Sequence, residues 1–146
     1  MLHRCHTLHS RLHQDGCEFE EATLGRCSAP CCEYVSWSCA AEQVRKHQPA
    51  RKTDTVKALE SEFERRLGIP VRFYTAVGSA MDVYHGTDGF LEYKGFIVTL
   101  DVTMDPNKAC GKADMVVHTD DLANLSALAG RIACALLSKF ERHSRY

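Results

Sequence analysis

After Thr53, apolar residues recur at two distinct periods, and each change of period marks an element. Val56, Leu59, Phe63 and Leu67 fall at helical spacing and make one apolar stripe. Thr53 or Asp54 suits the N-cap. Gly68 then Pro70 ends the helix, glycine by taking the left-handed conformation and proline by refusing continuation. Val71 to Ala76 is rich in β-formers and reads as a strand. A Gly78-Ser79 break and a stretch of undecided structure lead through His85 to the turn Gly86-Thr87-Asp88-Gly89. Phe90 to Tyr93 and Phe96 to Thr103 alternate about the tight turn Lys94-Gly95, the pattern of a β-hairpin. Asp105-Pro106-Asn107 is a second turn, and Lys112 to His118 is expected to return as another hairpin partner. From Asp120 to about Arg142 the helical period resumes, with Leu122, Leu125, Leu128, Ile132, Leu136 and Phe140 on the buried stripe. Asp120 and Asp121 suit the positive end of that helix's dipole, and Lys139, Arg142 and His143 its negative end.

Before Thr53 neither period is clear. Cys5, Cys17, Cys27, Cys31, Cys32 and Cys39 lie there with His3, His6, His9 and His13. The pattern predicts a Cys/His-rich, loosely ordered leader over 1–52 and a folded domain over 53–146, with a soft boundary at Gln48-Pro49-Ala50-Arg51-Lys52. Cys27-x3-Cys31-Cys32-x6-Cys39 fits none of the strong paired zinc templates, so zinc is not expected in the leader. Tyr34, Val35 and Trp37 form a small apolar patch able to dock on the domain. The order helix, strands, helix implies an α+β fold: a small, mostly antiparallel sheet flanked by helices in an α/β/α-like sandwich.

At 146 residues the chain has material for one full core. A formal net charge of -1 gives no global basic field, so a nucleic-acid ligand would need a local basic face or a partner subunit. No apolar run is long enough to cross a bilayer, and no apolar core follows the basic N-terminus. A reducing, cytoplasmic setting is therefore expected, and the 8 Cys are not expected to form a disulfide framework.

The candidate chemistry lies on the hairpin. Phe96, Val98, Leu100 and Val102 share one wholly apolar face, which puts Asp101 on the other, between Thr99 and Thr103. A carboxylate in mid-strand is costly when desolvated, and a metal ion would offset the cost. The alternative is a face left wet, as antiparallel sheets often leave one. Asp88 reads by itself as a turn residue, but it opens the strand that pairs with the Asp101 strand. Glu60 lies within the apolar stripe of its helix, where it either faces a metal or pairs with Arg65 or Arg66. Lys112 opens the third strand and shares a face with Asp114. Lys108, in the preceding turn, competes with it for a place near a reacting phosphate.

In this order, Glu60 on a helix, Asp88 at a strand start and Asp101 on the next strand resemble the PD-(D/E)XK nuclease superfamily, whose fold is restriction-endonuclease-like. The resemblance runs from Thr53 to the C-terminus. It departs from the pattern at Thr103, where the family places lysine, and Lys112 is the expected substitute. It implies Mg2+-dependent hydrolysis of nucleic acid, DNA in preference to RNA, with Mn2+ as a possible replacement ion. Asp88, Asp101 and Glu60 would hold the ion, and Lys112 would position water and offset charge. Carboxylates so gathered repel one another, so at least one should have a raised pKa without metal. A homodimer or larger complex is compatible with the family. Two other functions fit the same residues: a catalytically inactive binding or assembly protein of this fold, and a small zinc-binding regulatory module.

Overall fold

A computed structural model describes residues 11–30 and 33–144 of the chain. Two helices come first, α1 (Arg11–Leu24) and α2 (Trp37–Lys46). The helix predicted after Thr53 is α3 (Asp54–Leu67). Thr53 caps it by accepting from the Val56 N–H at 3.2 Å, and its hydroxyl donates to the Thr23 carbonyl at 2.7 Å, so the cap also ties α3 to α1. Gly68 closes it at φ 74°, a conformation that glycine adopts without a Cβ penalty. Then follow β1 (Arg72–Thr75), the short α4 (Ala80–His85), β2 (Gly89–Tyr93), β3 (Phe96–Thr103), β4 (Met115–His118), α5 (Thr119–Leu122) and α6 (Leu125–Ser144). The helix expected from Asp120 onward is thus interrupted, and the Asn124 side chain recaps it by accepting from the Ala127 N–H at 3.2 Å.

The four strands form one open mixed sheet in the order β1-β2-β3-β4. β1 and β2 are antiparallel, as are β2 and β3, with Leu91 opposite Val98 and Gly89 opposite Leu100. The last pair corrects the sequence reading: β4 lies parallel to β3, with Leu100 beside Met115 and Thr103 beside His118, and is no hairpin partner. The connection from Met104 to Asp114 must therefore travel back along β3 before β4 begins. Asp114 fixes where it lands, accepting from the Thr99 N–H at 3.0 Å while its own N–H donates to the Thr99 hydroxyl at 2.8 Å.

Both sheet faces are covered. On one, Val98, Leu100 and Val102 of β3 meet Val56, Leu59 and Phe63 of α3 and Leu128, Ile132 and Leu136 of α6. On the other, Phe90 joins Ala40, Ala41 and Val44 of α2, Cys27 and Ala29, and Met81 of α4. Residues expected to belong to a loose leader are therefore structural: Leu24 enters the first core and Cys27 the second. The supposed connector is fastened as well. The Gln48 side chain donates to the Thr75 carbonyl and accepts from the Thr75 N–H, both at 2.9 Å, and so pairs with the open edge of β1 as a strand would.

Candidate functional site

β2 and β3 bring two carboxylates to one end of their shared edge. Asp88 immediately precedes Gly89, and Asp101 immediately follows Leu100, the partner of Gly89. The Asp88 N–H donates to the Leu100 carbonyl at 2.8 Å, and its carboxylate accepts from the Val102 N–H at 2.8 Å. The side chain thus stands in for a strand partner and is held along β3. The next residue, Gly89, lets β2 lie close against β1, because a Cβ there would collide with the Phe73 ring and lie 3.0 Å from the Tyr74 carbonyl oxygen.

Two further carboxylates converge on Asp88. Asp82, in the first turn of α4, accepts from the Gly78 N–H at 2.9 Å. Glu20 arrives from α1. Carboxylate oxygens of Glu20, Asp82 and Asp88 lie within 4.8 Å of one another, with Asp82 and Asp88 buried. Burial pushes the Asp88 carboxyl well above the usual carboxylate range. The charges of Asp82 and Glu20 and a hydrogen bond with Asp82 push it the same way, against the Val102 N–H.

Asp101 is buried, and the Lys108 ammonium sits on its carboxylate. The Lys108 pKa is raised, first by its hydrogen bond to Asp101, then by the charges of Asp101, Asp88 and Glu20, against its own desolvation. The charges of Asp88 and Glu20 thus reach Lys108, while Asp101 itself stands outside the group of three carboxylates that lie within 4.8 Å of one another. The Lys108 loop is braced from β4. His118 Nε2 lies 2.7 Å from the Lys108 carbonyl, which can only accept, so that nitrogen carries the proton.

The other sequence candidates are held elsewhere. Glu60 lies at the far end of β1: it pairs with Lys52 at 2.7 Å and accepts from the Phe73 N–H at 2.9 Å. Its partner is neither a metal cluster nor Arg65 or Arg66. Lys112 is exposed and donates to the Tyr84 carbonyl at 3.2 Å, so the lysine on Asp101 is Lys108. Asp114 ties β3 to the helix layer through Lys139 at 2.7 Å. Burial opposes its charge, but Lys139 and the Thr99 amide outweigh burial and hold its carboxyl below the usual range.

No protein-family model, curated protein or solved structure matches the chain.

The chemistry therefore rests on the residues. Carboxylate oxygen is the donor set of Mg2+ and Mn2+, whereas zinc sites favour thiolate and imidazole. Glu20, Asp82 and Asp88 are the one such ligand group of three or more among the described residues, and it contains no cysteine. Cys27 is buried in the second core, where burial pushes its thiol pKa up. Cys39 is exposed, and Cys5, Cys31 and Cys32 lie outside the described residues. Sequence reasoning missed Glu20 and Asp82. Asp82 carried a weak signal, since it stands three residues after Ser79 as an N-terminal helix acid does. Glu20 carried none, because its helix shows little apolar periodicity.

Proposed function

We propose that this chain hydrolyses phosphodiester bonds of nucleic acid, DNA in preference to RNA, in an Mg2+-dependent reaction of the PD-(D/E)XK type on a restriction-endonuclease-like scaffold. The observation that carries this reading is the delivery of Asp88 and Asp101 by neighbouring strands to one end of the sheet, with Lys108 on Asp101. Glu20 takes the place of the helix acid first sought at Glu60, and Lys108 the place first sought at Lys112.

The residues fit such an ion by their chemistry. The site offers only oxygen ligands, and its acids crowd closely enough to help raise the Asp88 pKa, a shift that a bound cation would oppose. Glu20, Asp82 and Asp88 would hold it, and Asp101 with its Lys108 partner would stand beside them. When bound, Mg2+ supplies positive charge that polarises the phosphate and makes water more acidic. Asp88 would bind the ion as its carboxylate, and the ion's charge would favour that form. Lys108 stays protonated at neutral pH, because its pKa is raised. It therefore offsets charge growing on the scissile phosphate and does not act as the base.

The test is cleavage of supercoiled plasmid DNA. Nicking should need Mg2+, stop with EDTA, and be lost in Asp101→Ala while circular dichroism stays native. Equal activity in Asp101→Ala would overturn the reading. One observation favours a non-catalytic relative instead: Thr103 stands where the family pattern has lysine, and its hydroxyl accepts from the Asp105 N–H at 3.0 Å. Native protein that binds DNA but never cuts it would support that alternative.

A further inference from the structure

Beside the acidic centre lies an edge of exposed aromatic rings that the hydrolytic reading does not use. Tyr34 is 67% exposed, yet its ring is held edge-on against Tyr84 at 5.7 Å between centroids and tilted on His85 at 5.5 Å. His85 Nε2 donates to the Val35 carbonyl at 2.8 Å and pins the segment that carries Tyr34. Trp37, 38% exposed, opens α2 and lines a shallow cleft of about 270 Å³ with Ile97, Thr99, Lys112, Asp114 and Lys139.

This edge is continuous with the site. Thr99 and Ile97 occupy the same face of β3 as Asp101, one and two alternations away respectively. Tyr84 and His85 end the short helix whose first turn carries Asp82. Lys112 bridges the two regions: its ammonium is on the Tyr84 carbonyl, and a Cβ built on the neighbouring Gly111 would lie 3.5 Å from the Asp101 carboxylate. The charge of the cleft is basic. Its one carboxylate, Asp114, is neutralised by Lys139, which leaves Lys112 as the cation facing an occupant.

We infer that this edge holds a single-stranded segment of nucleic acid, with bases stacked on Tyr34 and Trp37 and the phosphate backbone passing Lys112 toward Asp101. An anionic chain with flat apolar faces matches both Lys112 and the rings. A duplex hides its base faces and could offer only its phosphates. The inference rests on the nuclease reading for its direction and names the substrate class: unpaired strands, flaps or gaps.

Trp37 is the only tryptophan of the chain, so its emission reports stacking directly. The experiment titrates the full chain, in EDTA to prevent hydrolysis, with an oligothymidylate of about 20 nucleotides and with a blunt duplex of equal length. The oligothymidylate should quench Trp37 and bind more tightly than the duplex. Tyr34→Ala should weaken that binding about five- to a hundredfold, the range for loss of one stacked base, and Tyr34→Phe should stay near wild type. Tyr34 is exposed enough for both variants to fold. Equal affinity for the two nucleic acids, or unchanged affinity in Tyr34→Ala, would overturn the inference. Binding as expected with no cleavage on restoring Mg2+ would uphold it and remove only the hydrolytic reading.

Discussion

The Lys108 ammonium sits on the Asp101 carboxylate because the connection between β3 and β4 doubles back along the strand that carries Asp101. A hairpin would have turned away from it. The parallel pairing of β4 and the position of the lysine are thus one structural fact. Removing the ammonium in Lys108→Ala should lower the cleavage rate by about 10²–10³-fold, the scale for losing one preorganised charge partner. The sign of its pKa shift sets the pH behaviour. A lysine raised in the fold contributes stability that is present below its unfolded pKa and lost only as pH climbs through the raised value. Rate profiles measured through the neutral range should therefore show no step that disappears with Lys108.

Asp88 works in the opposite direction. Its folded pKa lies above its unfolded one, so between the two the native state binds more protons and stability falls as pH rises. Asp88→Asn removes the buried charge, keeps an oxygen for the Val102 N–H and offers an amide to Asp82. Without metal its Tm should exceed wild type by a few degrees, about what 1 kcal/mol gives in a domain of this size, and the gap should widen with pH. A lower Tm for the variant at neutral pH would contradict the account.

Glu60 separates structure from chemistry. Glu60→Gln keeps an acceptor for the Phe73 N–H and should leave cleavage within about twofold, since Glu60 is not in the acidic centre. Glu60→Ala removes partners of both Phe73 and Lys52 and should cost about 1–3 kcal/mol in urea unfolding.

Gly89 links packing to the site. A methyl group there meets the Phe73 ring and the Tyr74 carbonyl. Gly89→Ala should cost about 1–3 kcal/mol in stability by overpacking, and should reduce cleavage further by shifting the neighbouring Asp88. Chemical denaturation and plasmid nicking measure the two effects separately.

The parts of the fold legible in the sequence were those fixed by local rules. The stripe Val56, Leu59, Phe63, with Thr53 before it and Gly68 after it, marks α3 nearly to the residue. The Lys94-Gly95 turn fixes the register of β2 on β3 and so places Asp88 near Asp101. What escaped is set at long range. Among the described side chains of α1, Thr23 and Leu24 are buried and Phe19 packs against the core, too few positions to show a period, and helices of that kind are held by tertiary packing. α4 has six residues, less than two full turns. The parallel course of β4 depends on Asp114 reaching Thr99, a tie that no local pattern announces. The acids missed, Glu20 and Asp82, lie on these two illegible helices. The lysine ranked second, Lys108, lies in the connection whose path was misread.

The central claim is that these carboxylates chelate a hard divalent cation, and titration with Mn2+ followed by electron paramagnetic resonance tests it most directly. Wild-type protein should deplete the free Mn2+ signal saturably, with Mg2+ competing. Asp88→Asn combined with Asp101→Asn should lose that binding, and Glu60→Gln should retain it. No saturable binding by the wild type, or binding undiminished in the double variant, would contradict the account.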